Sequence, residues 1–185
     1  MISVDVNDLK LDRNELAARM MCTDLATLYD LVGPAEEEVK AHAECYYTFE
    51  KTSVKISDNV VSLGFGEVQS TALAKCLDGC DSAFIVAVTL GHSVDRLLRQ
   101  KSVTSTTEQF ITDAVASALC EALCDKVQSL LPLKTRRRFS PGYGDLSLNV
   151  QFPLLNYLDN CGIALTETGL MIPSKSVTFI AGVEK

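Results

Sequence analysis

Residues 138–145, Arg-Phe-Ser-Pro-Gly-Tyr-Gly-Asp, form the most informative stretch of the chain. Its proline and two glycines predict an ordered loop of irregular backbone rather than a helix or a strand. Pro141-Gly142 favours a turn, and the glycine lets main-chain atoms approach a flat ligand closely. Arg138 offers a planar fork of donors that matches a carboxylate, either on a ligand or on Asp145 or Glu167.

The segment before this loop is basic and follows a long predicted helix. Residues 134–138 read Lys-Thr-Arg-Arg-Arg. Ser105-Thr-Thr-Glu108 is a capping box, so a helix is expected to begin near Thr106 and to continue to Pro132. Glu121 lies at the edge of its apolar face, where a carboxylate either faces water or is paired in a cleft. The predicted inward face consists of Phe110, Ala114, Ala118, Cys120, Leu123, Cys124, Val127 and Leu131.

The segment after the loop predicts one helix and two strands. Residues 148–159 have helical periodicity, and Pro153 would kink this helix unless it begins near that proline. Asn160 and Gly162 end it. Residues 163–184 predict two strands around Gly169 and Pro173, with a core strand over 176–183.

The N-terminal two thirds of the chain predict alternating helices and strands. Helices are expected over 12–32, from there to about Tyr46 after a break at Gly33-Pro34, over 70–77 with Ser70 as the cap, and over 92–101. Short strands are expected over 47–63 with a turn at Asp58-Asn59, and residues 83–90 predict a strand buried on both faces. We therefore predict one α+β domain over residues 1–185. Its helical N-terminal part covers about 1–46 and its motif-bearing part about 105–185.

Charge and hydropathy exclude several classes of protein. The chain has 185 residues, 17 basic and 24 acidic side chains and a net charge of −7, which argues against a general nucleic-acid binder. The negative charge is unevenly distributed along the chain, since residues 131–185 carry six basic and four acidic side chains. Without an apolar run of about 18 residues, no membrane span is expected. Asp5, Asp8 and Asp12 stand where a signal peptide needs apolar residues, so we expect a cytoplasmic protein.

The cysteines and histidines do not indicate a metal site. Seven cysteines, an odd number, fit a reducing compartment: Cys22, Cys45, Cys76, Cys80, Cys120, Cys124 and Cys161. Two pairs, Cys76/Cys80 and Cys120/Cys124, have the i, i+4 spacing that shares a helix face, which suits a zinc site or buried apolar packing. We predict packing. His92, at a strand-to-helix junction, is interpreted as structural.

A second block of residues follows the loop and consists of Leu165-Thr-Glu-Thr168 and then Met171-Ile-Pro-Ser-Lys-Ser-Val177. The loop and this block together resemble the activation domain of cobalamin-dependent methionine synthase. That family has R-x-[A/S]-P-G-Y, then a helix, a G-(I/M)-x-L-T-E-S-like strand and M-x-P-x-x-S-V. The resemblance covers about residues 117–183, and the matching positions are Arg138, Ser140, Pro141, Gly142, Tyr143, Gly162, Leu165, Thr166, Glu167, Met171, Pro173, Ser176 and Val177.

The resemblance implies a mostly antiparallel twisted sheet flanked by helices. It also implies a site for S-adenosylmethionine at Arg138, Ser140, Gly142, Tyr143 and Glu121. The family's arginine holds the ligand's carboxylate and its tyrosine lies near the corrin face, while Glu121 could pair with the ammonium or sulfonium group. The family activation domain docks on a cobalamin-binding domain, where S-adenosylmethionine and a reduced flavoprotein restore methylcobalamin. The implied partner is therefore a cobalamin (vitamin B12) methionine synthase or another corrinoid protein in methionine biosynthesis. No catalytic residue, metal ligand, nucleic acid or membrane is implied.

Three interpretations follow from this resemblance. The first is a free-standing reactivation module, an accessory to the methyltransferase rather than an independent enzyme. The second is a corrinoid-docking module without S-adenosylmethionine binding, because the sequence ends at Lys185, before a family segment that carries an aromatic pair. The third is an independent methyltransferase. The chain lacks the glycine-rich strand-to-helix loop of the common methyltransferase fold, which argues against this interpretation.

Overall fold

The computed structural model describes residues 1–21, 25–159 and 161–185, so the predictions for Cys22 and Asn160 lie outside the described residues. The strands are β1 (Ile2–Ser3), β2 (Tyr46–Ser53), β3 (Lys55–Ser57), β4 (Val60–Leu63), β5 (Gly66–Gln69), β6 (Ser82–Thr89), β7 (Ala164–Leu165), β8 (Met171–Ile172) and β9 (Ser176–Gly182). The α-helices are α1 (Arg13–Arg19), α2 (Leu25–His42), α3 (Thr71–Leu77), α4 (His92–Thr104), α5 (Thr106–Leu130) and α6 (Gln151–Tyr157). Short 3-10 turns cover Val6–Asp8 and Leu148–Val150.

The main sheet is antiparallel and has the strand order β1-β2-β6-β9. β6 is central, pairing with β2 on one side and with β9 on the other. β-branched residues and alanines fill β6, and both of its faces are buried, as the sequence predicted. A smaller sheet, β3-β4-β5, and the β7-β8 hairpin complete the strands of the described residues.

Side chains that alternate along β6 separate two apolar cores. Phe84, Val86 and Val88 enter a core with α1, α2, α4 and α5, which we term the α5-side core. Ile85 and its alternating neighbours enter a core with α3, α6 and the smaller sheet, termed the α6-side core. Helices therefore cover both faces of an antiparallel sheet, which confirms the predicted α+β class.

The predicted starts of two helices are confirmed by their caps. The Ser105 hydroxyl accepts a hydrogen bond from the Glu108 amide at the start of α5, and the Ser70 hydroxyl accepts one from the Leu73 amide at the start of α3. Phe110 was predicted to face inward but is 51% exposed. Phe110 precedes Ile111, the first buried residue of α5, and the other seven predicted inward residues are buried.

The predicted break at Gly33-Pro34 is wrong, because α2 is continuous through it. Val32 and Val39 lie in the α5-side core, so packing holds the helix together across the proline. Pro34 has no N–H to donate to the carbonyl of Asp30, four residues earlier in the helix. Both residues are exposed, so water can hydrate that carbonyl.

Four other features differ from the sequence predictions: the end of α2, the strands of residues 163–184, the presence of β5 and the start of α6. α2 ends at His42 rather than near Tyr46, since the chain joins the sheet, with the Glu44 amide bonded to the Leu90 carbonyl at 2.9 Å. Residues 163–184 contain a hairpin and β9 rather than two strands, and β5 was not predicted. α6 begins two residues before Pro153, which therefore lies in its first turn without a kink.

Among the described residues, no helix combines the length and hydropathy needed to cross a bilayer.

Candidate functional site

The 138–145 loop begins on the outer edge of β9. Phe139 exchanges two backbone hydrogen bonds with Ile180, of 2.9 and 2.8 Å, and the Arg136 amide bonds to the Gly182 carbonyl at 2.8 Å. The loop then turns back, with the Gly142 amide bonded to the Leu146 carbonyl at 2.9 Å. Gly142 has a φ of 89°, a conformation that favours glycine. The predicted ordered loop is thus held by the sheet on one side and by its own turn on the other.

A groove with a volume of about 630 Å³ lies along this loop. It crosses the edge of β9, from α5 on one face of the sheet to α6 on the other. Its lining residues are Cys76, Glu121, Gln128, Arg137, Arg138, Phe139, Ser140, Pro141, Tyr143, Gly144, Gln151, Met171, Val177 and Thr178. The groove contains four of the five predicted site residues; Gly142 instead shapes the turn beside it.

Arg138 lies at the α5 end of the groove and binds two carboxylates of that helix. Its Nη2 donates to Glu121 Oε2 at 2.8 Å, and its Nη1 donates to Asp125. Burial alone would lower the pKa of Arg138, but the hydrogen bonds to Asp125 and Glu121 outweigh it, so the pKa is raised. Arg138 is therefore a fixed positive charge in the groove, and its partners are not Asp145 or Glu167.

Asp125 is a site residue that the sequence analysis missed. It follows Glu121 by four positions and so shares a helix face with it, a spacing that was available in the sequence. Only the position of the loop shows that the two carboxylates converge on one guanidinium.

Asp145 anchors the far end of the loop to α3. Its carboxylate accepts hydrogen bonds from the Ser70 hydroxyl and from the backbone amides of Thr71 and Ala72. These bonds lower the pKa of Asp145 to about 2. The negative charge also stands at the positive end of the helix, where it is favoured.

Tyr143 lies at the mouth of the groove and is 64% exposed. Leu148 and Leu170 are exposed as well, and Leu148 lies next to Gly142 and Gly169. Tyr143, Leu148 and Leu170 therefore form an apolar rim beside the mouth, which we term the rim.

Gln151, the first residue of α6, is a second residue that the sequence analysis missed. It is 5% exposed and lines the groove, and its Oε1 has no hydrogen-bond partner among the described residues. No sequence motif pointed to it, since a glutamine at a helix start is common on protein surfaces.

Burial supports the predicted packing role for three of the four paired cysteines, but not for Cys76. Cys80, Cys120 and Cys124 are buried, and Cys76 contacts the Arg137 carbonyl beside the groove. The pKa of Cys124 is raised by its hydrogen bond with Cys120 and by burial, so Cys124 stays a thiol. Within the described ranges, no three His, Cys, Asp or Glu side chains come together as a metal site.

Comparison with solved structures shows which fold this is. The chain superposes on the crystal structure of the MetH reactivation domain bound to AdoHcy with a TM-score of 0.77 and 12% sequence identity. The match covers 98% of this chain and 77% of that chain. No protein-family model and no curated protein sequence matches the chain. The chain therefore has the α+β fold of the MetH reactivation domain, as its motifs implied.

Proposed function

We propose that this protein binds S-adenosylmethionine in the groove and supports reductive methylation of cobalamin in a methionine synthase or a related corrinoid methyltransferase. The observation that carries the proposal is Arg138, held between Glu121 and Asp125 at one end of a groove on this fold. The reactivation domain with the same fold was solved with AdoHcy, which supports the same class of ligand here.

The charges at the α5 end match the amino-acid part of this ligand. Two of the five N–H donors of Arg138 bind Glu121 and Asp125, so the remaining donors of the guanidinium are the ones that suit the ligand's carboxylate. Glu121, which lines the groove, suits the ligand's ammonium group, and a nearby carboxylate favours the cationic sulfonium over the neutral thioether that remains after methyl transfer. The two acids also hold Arg138 in place before the ligand arrives, which reduces the cost of ordering its side chain.

The groove mouth provides a surface for the partner that carries the cobalamin. Cobalamin carried by the partner would supply the cobalt that accepts the methyl cation of S-adenosylmethionine, with one electron from a reduced flavoprotein. The rim is exposed and apolar, as expected of a surface that becomes buried against a partner. Tyr143 belongs to both the rim and the groove lining, so it lies between the ligand and the docked partner.

Titration calorimetry with variants of Arg138 tests the ligand. Wild-type protein should bind S-adenosylmethionine, and Arg138→Ala should weaken binding at least tenfold, or about 1.4 kcal/mol. Arg138→Lys keeps the charge but loses the fork, so we expect an intermediate affinity. Arg99→Ala is the matched control, because Arg99 is an exposed arginine of α4 outside the groove lining.

A second candidate function is favoured by the rim alone: a corrinoid-protein docking module that does not bind S-adenosylmethionine. In that case wild-type protein gives no binding heat with or without the corrinoid protein. It still captures a cobalamin-domain protein, and Arg138→Ala does not change the capture. This combination of results would contradict the proposed ligand site.

A further inference from the structure

Gln151 is a buried amide that the charge pattern of the groove leaves unexplained. Its Oε1 has no hydrogen-bond partner among the described residues, although the residue is only 5% exposed. A buried acceptor without a partner costs free energy, so such a group in a folded protein calls for a reason. Gln151 lines the groove, but its Oε1 is closed to solvent, so a ligand donor meets this atom only when the amide turns toward the groove.

The position of Gln151 is set by the packing of α6. Leu154 and Leu155 of the same helix are buried in the α6-side core, so the start of the helix cannot move away from the groove wall. Arg138 and Glu121 lie at the α5 end, on the other face of the main sheet. A ligand that reaches both ends has to cross the edge of β9, with its charged groups at one end and a neutral donor at the other.

Part of the groove lining suits a flat, uncharged ring. Phe139, Pro141 and Met171 line the groove with apolar surface, and no carboxylate belongs to the part of the lining that α6 and β8 contribute. A carboxylate there would suit ribose hydroxyls, whereas a glutamine amide is complementary to the amine edge of adenine.

We propose that Gln151 recognises the adenine of the ligand, its Oε1 accepting a hydrogen bond from the exocyclic amine. This assignment rests on the proposed function, since it takes the charged end of the same ligand to lie on Arg138. Gln151 then acts as a specificity-determining residue that selects an amino-substituted purine.

The test compares two ligands against two glutamine variants by titration calorimetry. The ligands are S-adenosylhomocysteine and its analogue with unsubstituted purine in place of adenine. Wild-type protein should prefer the adenine ligand about tenfold, and Gln151→Met, which keeps the volume but removes the amide, should bind both ligands equally. The melting temperature of Gln151→Met should equal or exceed that of wild type, because the variant removes an unpaired buried acceptor.

Gln128→Met is the matched control. Gln128 also lines the groove, but its amide nitrogen donates to the Thr135 hydroxyl at 3.0 Å and to the Arg136 carbonyl at 2.7 Å. This variant should lose thermal stability and keep the preference for adenine. An unchanged preference in Gln151→Met, or a large fall in its melting temperature, would overturn the adenine assignment alone. Failure of wild-type protein to bind S-adenosylhomocysteine would overturn the proposed function and, with it, this assignment.

Discussion

Arg138 binds two carboxylates that differ in their exposure to water. The side chain of Glu121 is 30% exposed and that of Asp125 is 71% exposed. An interaction with the more buried carboxylate is screened less by water and salt. Glu121 is therefore the stronger partner for a ligand ammonium group, and Asp125 mainly orients Arg138.

The exposure of the two acids sets the order of two variants. Glu121→Gln should weaken S-adenosylmethionine binding about tenfold, whereas Asp125→Asn should change it by less than about fivefold, since exposed pairs contribute at most about 1 kcal/mol. Calorimetry at matched salt measures both affinities. The reverse order would show that Asp125, not Glu121, meets the ammonium group.

The residue scale also shows what the sequence could and could not reveal about the site. Arg138, Ser140 and Tyr143 were found through the loop motif, and the structure places them on one groove. Asp125 and Gln151 were missed, because each acquires its role only from tertiary structure. The first converges with Glu121 on Arg138, and the second is buried where its helix meets the loop.

At the scale of elements, Asp145 joins the loop to the start of α3. Its folded pKa of about 2 lies below its ordinary value of 3.8, since three hydrogen bonds favour the carboxylate. A lowered pKa means that the interaction stabilises the fold above about pH 4 and is lost as the pH falls towards 2.

Thermal melts across pH test this link between loop and helix. Asp145→Asn should melt at a lower temperature than wild type at pH 7, and the difference should shrink as the pH falls from about 4 towards 2. Asp81→Asn, a change at an exposed aspartate outside the loop, is the control and should have little effect. A difference in melting temperature that does not depend on pH would contradict the assigned role of the charge.

Local signals located most elements, and packing decided the exceptions. Ser70 and Ser105 marked two helix starts correctly, because a hydroxyl cap is a short-range interaction. Gly33-Pro34 suggested a break where Val32 and Val39 hold one helix against the core. Phe110 was misplaced because the burial of α5 begins only after it, at Ile111, whereas the rest of the predicted face is buried.

At the scale of the whole molecule, the main sheet holds the two ends of the groove in register. β6 contributes side chains to both cores, so a loss of packing on one face affects the platform that β9 and the loop share. The fold class could be predicted because an apolar run of strand length and amphipathic helices leave few alternative architectures.

A cavity in β6 should destabilise the whole molecule. Ile85 is fully buried in the α6-side core, so Ile85→Ala should lower the free energy of unfolding by about 2–5 kcal/mol. Ile56→Ala is the matched control, since Ile56 lies on β3 and is 37% exposed. Urea denaturation measures both changes, and equal losses for the two variants would contradict the assigned core.

The most direct measurement of the proposed function is methyl transfer in trans. Methyl-labelled S-adenosylmethionine, a reduced flavoprotein and a methionine synthase lacking its own reactivation domain, with cobalamin in the Co(II) state, are mixed with this protein. We expect labelled methylcobalamin to form only when the protein is present, and Arg138→Ala to reduce its rate at least tenfold. Labelled methylcobalamin at the same rate without the protein, or none with wild-type protein that binds S-adenosylmethionine, would contradict the proposed role.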